Sequence, residues 1–402
     1  MSFLKNVSIC DERIDKTISR ALMSTFIILT FQYLILISFD LLGSSAASLV
    51  QSISKIIVGL IFLIALPHVL KRKLNLFIIV YGLAIITFGY NYLVFPEDHT
   101  YLINIIFPFF FMALPSFIYV LSIERLEIFE EITNKSAFVI FILGIIAAIL
   151  ILTGNASAGA YSMSLSYYML LPALVFLGKV FERGKVHFIV YSIIALIVIV
   201  ALGSRGTLLC IVIYTFLRVV SPKQKFTSVK FMIYGILTLS ITIIIYNYDR
   251  ILLYFNELFL SYGIQSRTLA LLLQGEINLS GRDTIIQTVW SEIKLSPILG
   301  IGLAGDARLA RSGYAHNFFI EVIGNFGIPV GMLLIGILLT IILLSLIRSN
   351  YYDMIVLWIS IGFVHLTVSS SYITDLKFWV FFGVLLISLK GLINTKQEIK
   401  RG

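Results

Sequence analysis

The sequence predicts an all-α polytopic integral membrane protein, on the basis of its composition, its hydropathy pattern and the distribution of its basic residues. Hydrophobic residues make up 59% of the 402 residues and charged residues only 13%, whereas soluble domains usually contain about a quarter charged residues. The mean hydropathy is +1.00. Such a composition indicates a chain that lies mostly within a lipid bilayer.

About twelve apolar segments are long enough to cross a membrane as helices. The hydrocarbon core of a bilayer is ~30 Å thick, so a spanning helix needs about 20 apolar residues. The predicted spans cover residues 21–42, 53–70, 74–95, 101–122, 136–153, 161–178, 186–202, 206–220, 230–248, 316–347, 353–371 and 376–393.

The basic residues predict how these spans are oriented. With the amino terminus inside, all but nine of the 30 Lys and Arg residues fall in cytoplasmic tails and short connections. Because such connections are enriched in Lys and Arg, we expect both termini to be cytoplasmic. The nine exceptions are Lys55, Arg205, Arg250, Arg267, Arg282, Lys294, Arg308, Arg311 and Lys377.

Several functional classes are disfavoured by composition and motif content. The net charge of +9 is spread over many short connections, so we expect no nucleic-acid partner. No phosphate-binding glycine loop ending in Lys-Ser or Lys-Thr is present, which argues against nucleotide hydrolysis. We predict no cofactor.

One outer connection, residues 249–315, is much longer than the others. We expect a single membrane domain over residues 1–402 that carries this loop. Within the loop, apolar residues recur at helical spacing and predict an amphipathic helix near 282–294 that lies on the membrane surface. They are Ile285, Ile286, Val289, Trp290 and Ile293.

Three residues at the outer side are candidates for chemistry, and each has a structural alternative. Arg205 lies at a helix end, where an arginine can also extend to lipid headgroups. Arg282 begins the amphipathic helix, where a cation is unfavourable against the helix dipole unless an external anion binds. His316 opens the tenth span beside Asn317, and interfacial histidines are usually structural.

These residues resemble a known family when they are taken in order. The sequence contains Ser204-Arg205-Gly206, then Gly281-Arg282 with Trp290 and the turn from Ser296-Pro297 to Gly302, and then His316-Asn317 followed by Gly324, Gly327 and Gly331. Over roughly residues 200–335 this pattern is similar to the O-antigen ligase/polymerase superfamily. The resemblance implies a GT-C-like fold and transfer of glycans from a lipid diphosphate at the outer face of the bacterial inner membrane.

The resemblance also implies the substrates and partners. The donor would be a glycan linked to undecaprenyl diphosphate, and the acceptor would be a second glycan. Membrane lipids would surround both, and we expect a chain-length regulator and a flippase as protein partners.

Each candidate residue suits a step of this chemistry. Arg205 and Arg282 would bind the diphosphate, because guanidinium groups form paired bonds to phosphate oxygens. His316 would remove the proton of the acceptor hydroxyl, and attack opposite the diphosphate would invert the anomeric centre. Asn317, Arg267, Arg308 and Arg311 are candidate supporting residues. No metal is predicted, because the outer acidic residues are scattered along the sequence.

Two departures favour a polymerase over a ligase. Ligases tend to end the motif after the histidine in Gly-x-x-Gly-Gly, whereas this chain has Gly327-Ile328-Pro329-Val330-Gly331. The segment between Arg282 and His316 is also short for a ligase. A flippase or another transporter is an alternative from a different class, which would place the arginines along a central cavity.

Overall fold

A computed structural model describes residues 2–153, 163–202, 204–221, 248–261, 263, 270, 273, 282–310 and 314–399. All regular elements in these residues are helical. The α-helices are α1 (Ser2–Ser38), α2 (Ser45–Val94), α3 (His99–Pro108), α4 (Leu114–Leu121), α5 (Leu126–Leu152), α6 (Met163–Arg183), α7 (Val186–Leu202), α8 (Arg205–Val219), α9 (Tyr248–Ser261), α10 (Arg282–Leu295), α11 (Gly305–Ala310), α12 (Phe318–Arg348), α13 (Tyr352–Trp358) and α14 (Leu376–Ile399).

Short helices of other types join some of these elements. A 3-10 turn over Pro96–Asp98 precedes α3, and a π-helical turn over Phe109–Ala113 links α3 to α4. After α13 the chain continues through a π-helical turn, Ile359–Phe363, and a 3-10 turn, Val364–Thr367.

Six helices in the described part of the chain are long and apolar enough to cross a membrane. Three shorter apolar helices, 186–202, 352–367 and 376–389, accompany them. The predicted class, an all-helical polytopic membrane protein, is thereby confirmed. The number of twelve spans and the GT-C-like arrangement stay predictions, and the predicted span at 230–248 lies almost wholly outside the described residues.

Helix α2 joins two of the predicted spans. Its 50 residues correspond to about 75 Å at 1.5 Å per residue, more than twice the thickness of a bilayer core. Lys73 interrupts the helical dihedral angles with φ −139° and ψ 32°. This interruption lies where the sequence predicts a connection between the second and third spans.

A buried ion pair secures the chain beside this interruption. The Nη1 group of Arg72 binds Asp15 on α1 and donates to the carbonyl of Ser122 at 2.9 Å. Asp15 is fully buried and also accepts the backbone N–H groups of Glu124 and Arg125. One carboxylate therefore joins α1, α2 and the turn before α5.

The chain forms two compact units. The first comprises Met1–Thr25, Ile56–Thr133 and Leu279–Gly402, and the second comprises Phe26–Lys55 and Asn134–Asn278. In the first unit α14 packs against α4, α12, α13 and the π-helical turn at 359–363. In the second unit α6 packs against α7 and α8. Arg282 and His316 belong to the first unit and Arg205 to the second.

Helix α12 is interrupted at Gly327, and the turn after α10 docks into the interruption. The N–H of Ile328 donates to the carbonyl of Pro297 at 2.8 Å, and the N–H of Ile301 donates to the carbonyl of Gly324 at 2.7 Å. Pro329 follows in the first turn of the continuing helix, where a missing N–H is tolerated. Two backbone bonds thus fix residues 297–301 against the middle of α12.

Glycine is required at two of these contacts. Gly327 has φ +75°, and a β-carbon there would lie 2.0 Å from the carbonyl oxygen of Ile298. Gly300 has φ +76°, and its β-carbon would lie 2.2 Å from the carbonyl oxygen of Gly324. Gly300 and Gly327 therefore permit close approach of two backbones.

Candidate functional site

His316 lies just before α12 rather than within it. Asn317 is the N-cap of the helix, and its side chain accepts the N–H groups of Phe319 at 3.0 Å and Ile320 at 3.2 Å. The predicted start of the span at residue 316 is therefore two residues early. Asn317 has a capping role that accounts for its presence, and its predicted support of the chemistry stays a prediction.

The backbone of His316 adopts the left-handed conformation, with φ +57°. Residues other than glycine rarely adopt this conformation. The preceding Ala315 is fully buried and the following Asn317 caps the helix. The imidazole therefore projects from a backbone that is fixed on both sides.

Arg282 approaches His316 although the two residues are 34 positions apart in the sequence. As the first residue of α10, Arg282 donates from Nη1 to the carbonyl of Val368. Burial lowers the pKa of His316 to about 4, and the positive charge of Arg282 contributes to the lowering. A guanidinium and an imidazole that the sequence singled out separately thus act on each other.

The imidazole of His316 is neutral at physiological pH and incompletely paired. Its pKa lies well below 7 because burial and a neighbouring cation both disfavour the imidazolium form. Among the described residues, the buried Nδ1 atom has no hydrogen-bond partner. A neutral, oriented imidazole of this kind can accept a proton.

Tyr314 forms one side of the site. Its ring centroid lies 4.2 Å from that of His316, with the planes inclined at 57°. Its hydroxyl is hydrogen-bonded to Ser369, and burial raises its pKa. The tyrosine thereby connects the residues before α12 with the segment after α13.

That segment, residues 368–375, forms a second wall of the site. Buried Glu321 on α12 accepts the hydroxyl of Ser371 and, at 3.2 Å, the N–H of Tyr372. The amide group of Asn325 lies 2.9 Å from the hydroxyl of Tyr372. Together with the bond from Arg282 to Val368, these contacts fix the segment against α10 and α12.

This wall was difficult to predict from the sequence. Residues up to 371 fall in a predicted span, but the helical turns end at Thr367. The run Ser369-Ser370-Ser371 at the end of an apolar segment is the signal that could have revealed a polar loop there, because such clusters mark turns.

His365 lies in a separate buried cluster. Its Nδ1 atom is 3.2 Å from a carboxylate oxygen of Asp375 and 3.2 Å from the ammonium group of Lys377. Lys377 is also 3.4 Å from Asp375. His365 is therefore a buried residue that is paired with Asp375 and Lys377.

The remaining predicted residues occupy different places. Arg308 on α11 donates from Nε to Asp98 at 2.6 Å, and Asp98 is buried. This ion pair gives Arg308 a structural role, and its predicted contribution to anion binding stays a prediction. Arg205 is the first residue of α8, and its predicted role at the diphosphate is likewise a prediction. Arg267 and Arg311 lie outside the described residues.

The amphipathic helix is present at the predicted position. Helix α10 covers Arg282–Leu295, against a predicted 282–294, and Val289 and Ile293 are its buried residues. It packs against α11 and α12 of the first unit. Its apolar face therefore contacts protein, whereas the sequence predicted a helix lying on the membrane.

Acidic residues come closer together than the sequence suggested. Asp306 interacts electrostatically with Asp98 and with Glu321. Within the described residues, no group of three or more His, Cys, Asp or Glu side chains could hold a metal ion.

The fold and this site define a multi-pass helical membrane protein with a cation and a neutral imidazole at one polar site. Residues 190–335 match the family model described as O-antigen ligase. This match includes Arg205, Arg282 and His316, and it confirms the resemblance to the O-antigen ligase/polymerase superfamily over these residues. No curated protein and no solved structure matches the chain.

Proposed function

We propose that the protein is a membrane glycosyltransferase that polymerises undecaprenyl-diphosphate-linked oligosaccharide repeat units of a surface polysaccharide, such as an O-antigen or a capsule. The observation that carries the proposal is the electrostatic interaction between Arg282 and the neutral His316. The O-antigen ligase match over residues 190–335 supports the use of lipid-linked glycans. Catalysis takes place at the outer face of the bacterial cell membrane.

The reaction needs a cation for the leaving group and a base for the acceptor. The acceptor oxygen forms a bond to the anomeric carbon while the bond from that carbon to the diphosphate oxygen breaks. The acceptor proton passes to His316, and undecaprenyl diphosphate leaves as an anion beside Arg282 and Arg205. Fixed cations lower the barrier because negative charge develops on the leaving group.

Donor binding makes His316 a better base. The charge of Arg282 contributes to the low pKa of His316 in the free protein. Burial is the main cause of the low pKa, but a bound diphosphate offsets the charge of Arg282, so this second contribution is relieved and the pKa of the imidazole rises. Proton transfer is most efficient when the pKa of the base is near the working pH. Binding of the donor thus makes His316 more basic before the proton is transferred.

The arginines supply the positive charge that a metal ion would otherwise provide. The proposed mechanism is therefore independent of metal and of any cofactor. Attack from the side opposite the diphosphate inverts the configuration at the anomeric carbon. The protein partners that we expect, a chain-length regulator and a flippase, would act before or during polymerisation.

A ligase that transfers completed polysaccharide to lipid A core is the second candidate. The match to this family is equally compatible with a ligase. The missing glycine between Gly327 and Gly331 and the short segment between Arg282 and His316 favour the polymerase. A transporter has no support from the family match.

Lipid-linked glycans from cells that lack the protein distinguish the candidates. A polymerase defect leaves single lipid-linked repeat units, and this is the result we expect. Full-length chains that remain on undecaprenyl diphosphate would establish the ligase instead. Wild-type glycans after deletion would contradict both functions.

A further inference from the structure

Asp306 holds the backbone directly before His316. Its Oδ2 atom accepts the N–H of Ala315 at 2.8 Å. Asp306 is 3% exposed and Ala315 is fully buried, so water does not compete for this bond. Hydrogen bonds to an ionised carboxylate are shorter and stronger than those between neutral groups.

This bond acts on a residue that needs support. His316 has φ +57°, a conformation that a residue with a β-carbon adopts only when its surroundings enforce it. Asp306 fixes the peptide unit before His316, and the capping bonds of Asn317 fix the chain after it. Loss of the carboxylate would release one of these two constraints.

Asp306 is itself on a secured element. Arg308, also on α11, binds Asp98 in the 3-10 turn at 96–98. The N–H of Leu303 donates to the side-chain oxygen of Asn91 on α2 at 2.8 Å. These two bonds hold α11 at the end of α2. Because Asp306 lies on α11, its bond to the N–H of Ala315 holds Ala315 in a fixed position as well.

We propose that Asp306 is a positioning residue, whose carboxylate acts through the N–H of Ala315 to hold the His316 imidazole in the orientation that accepts a proton. This inference rests on the proposed function, in which His316 is the base. Asp306 does not touch the substrate in this role. Its effect is on the geometry of proton transfer.

The ionisation of Asp306 provides a signature. Burial raises its pKa to about 6, and the bond from Ala315 opposes the rise. The charged and titratable groups around the His316–Asp306 region are Asp98, Arg308, Glu321, Tyr372, Tyr314, His316 and Arg282.

The pH of titration distinguishes Asp306 from His316 in the free protein. Protonation of Asp306 weakens the bond to Ala315, so positioning is lost as the pH falls through about 6. The imidazole of His316 becomes charged only near pH 4. Because kcat/KM reports ionisations of the free enzyme, a decline near pH 6 that is absent from Asp306→Asn is assigned to the carboxylate of Asp306.

The test compares the pH dependence of kcat/KM for the wild type, Asp306→Asn and Asp306→Ala. We expect Asp306→Ala to lose about 10- to 100-fold in kcat with little change in donor KM, because a displaced base costs rate rather than binding. Asp306→Asn keeps one acceptor oxygen, so it should recover part of the rate and lack the decline near pH 6. The matched control Glu257→Gln removes an exposed carboxylate of the same 249–315 segment and should resemble the wild type.

A chemical readout tests the positioning without any transferase activity. Diethyl pyrocarbonate modifies neutral imidazoles, and peptide mass spectrometry compares the modification rate of His316 with that of exposed His187. We expect His316 alone to react several-fold faster in Asp306→Ala. If the wild type shows no transferase activity but His316 is modified faster in Asp306→Ala, the proposed function is contradicted and the positioning role is supported.

The inference fails if Asp306→Ala has wild-type kcat and His316 reactivity. It also fails if kcat/KM of Asp306→Asn still declines near pH 6. This measurement on Asp306→Asn decides the question even if Asp306→Ala does not fold.

Discussion

At the residue scale, His316 has two properties that bear on its proposed role. Its backbone is in the left-handed conformation, and its pKa is lowered by burial and by Arg282. The first property fixes where the imidazole points, and the second keeps it neutral. A neutral base beside a cation is suited to a reaction in which a diphosphate arrives with negative charge.

The first prediction concerns His316 itself. His316→Ala should lower kcat by ~100- to 10,000-fold, the usual contribution of a positioned base, and should leave binding of the lipid-linked donor intact. Single-turnover rates and donor binding in detergent measure the two effects. Loss of donor binding together with turnover would make His316 a ligand of the diphosphate.

The second prediction concerns the electrostatic contact with Arg282. Removing the positive charge in Arg282→Gln should raise the pKa of His316 above its value of about 4, because the imidazolium form loses a repulsive neighbour. NMR titration of the imidazole in donor-free protein measures the change. Lys294→Gln, which removes an exposed cation at the other end of α10, is the control. An unchanged pKa in Arg282→Gln would disprove the contact.

At the scale of elements, the interruption of α12 organises the surroundings of the site. The turn at 297–301 bonds to the backbone at 324 and 328, and α10 packs on the same helix. Residues 282–301 and 318–331 therefore behave as one packed element. Its position depends on these two backbone bonds and on the buried Val289 and Ile293 of α10.

The third prediction tests the close approach at Gly327. Gly327→Ala should lower stability by at least ~1–2 kcal/mol, because its φ is positive and its β-carbon would meet the Ile298 carbonyl. Gly336→Ala is the matched control on the same helix, where a β-carbon has nothing within 4 Å. It should be neutral or stabilising by up to about 1 kcal/mol. Thermal unfolding in detergent measures both, and equal unfolding temperatures would refute the docking.

At the scale of the whole molecule, hydropathy was sufficient to predict an all-helical membrane protein, since lipid requires every backbone group to be paired within a helix. The amphipathic helix was also predicted to within a residue, because the spacing of Ile285, Val289 and Ile293 is a local signal. The sequence did not show that α1 runs without a break from residue 2 to residue 38. Polar and apolar helical segments can join without a capping signal.

Contacts between distant residues could not be predicted in the same way. The bond from Asp306 to Ala315 and the bond from Arg282 to Val368 depend on how the elements pack. Neither periodicity nor charge pattern encodes them. The resemblance singled out candidate residues, whereas the elements that hold them became apparent only from the fold.

The fourth prediction applies to the purified protein as a whole. Transfer should continue in excess EDTA, because in the proposed mechanism arginines supply the positive charge at the leaving group. The measurement is the rate of polymer formation before and after extensive chelation. Activity that disappears in EDTA and returns with magnesium or manganese would contradict the proposed mechanism.

The docked turn at 297–301 also sets rules for recombining this protein with its relatives. Its two backbone bonds require glycine on both sides, at 300 and at 327. The two segments that contain these glycines must therefore be exchanged together. A chimera whose crossover falls between residues 302 and 323 separates the halves of this contact. Crossovers before residue 282 or after residue 331 keep the two halves from one parent, and these are the boundaries at which chains with exchanged sugar specificity should still fold.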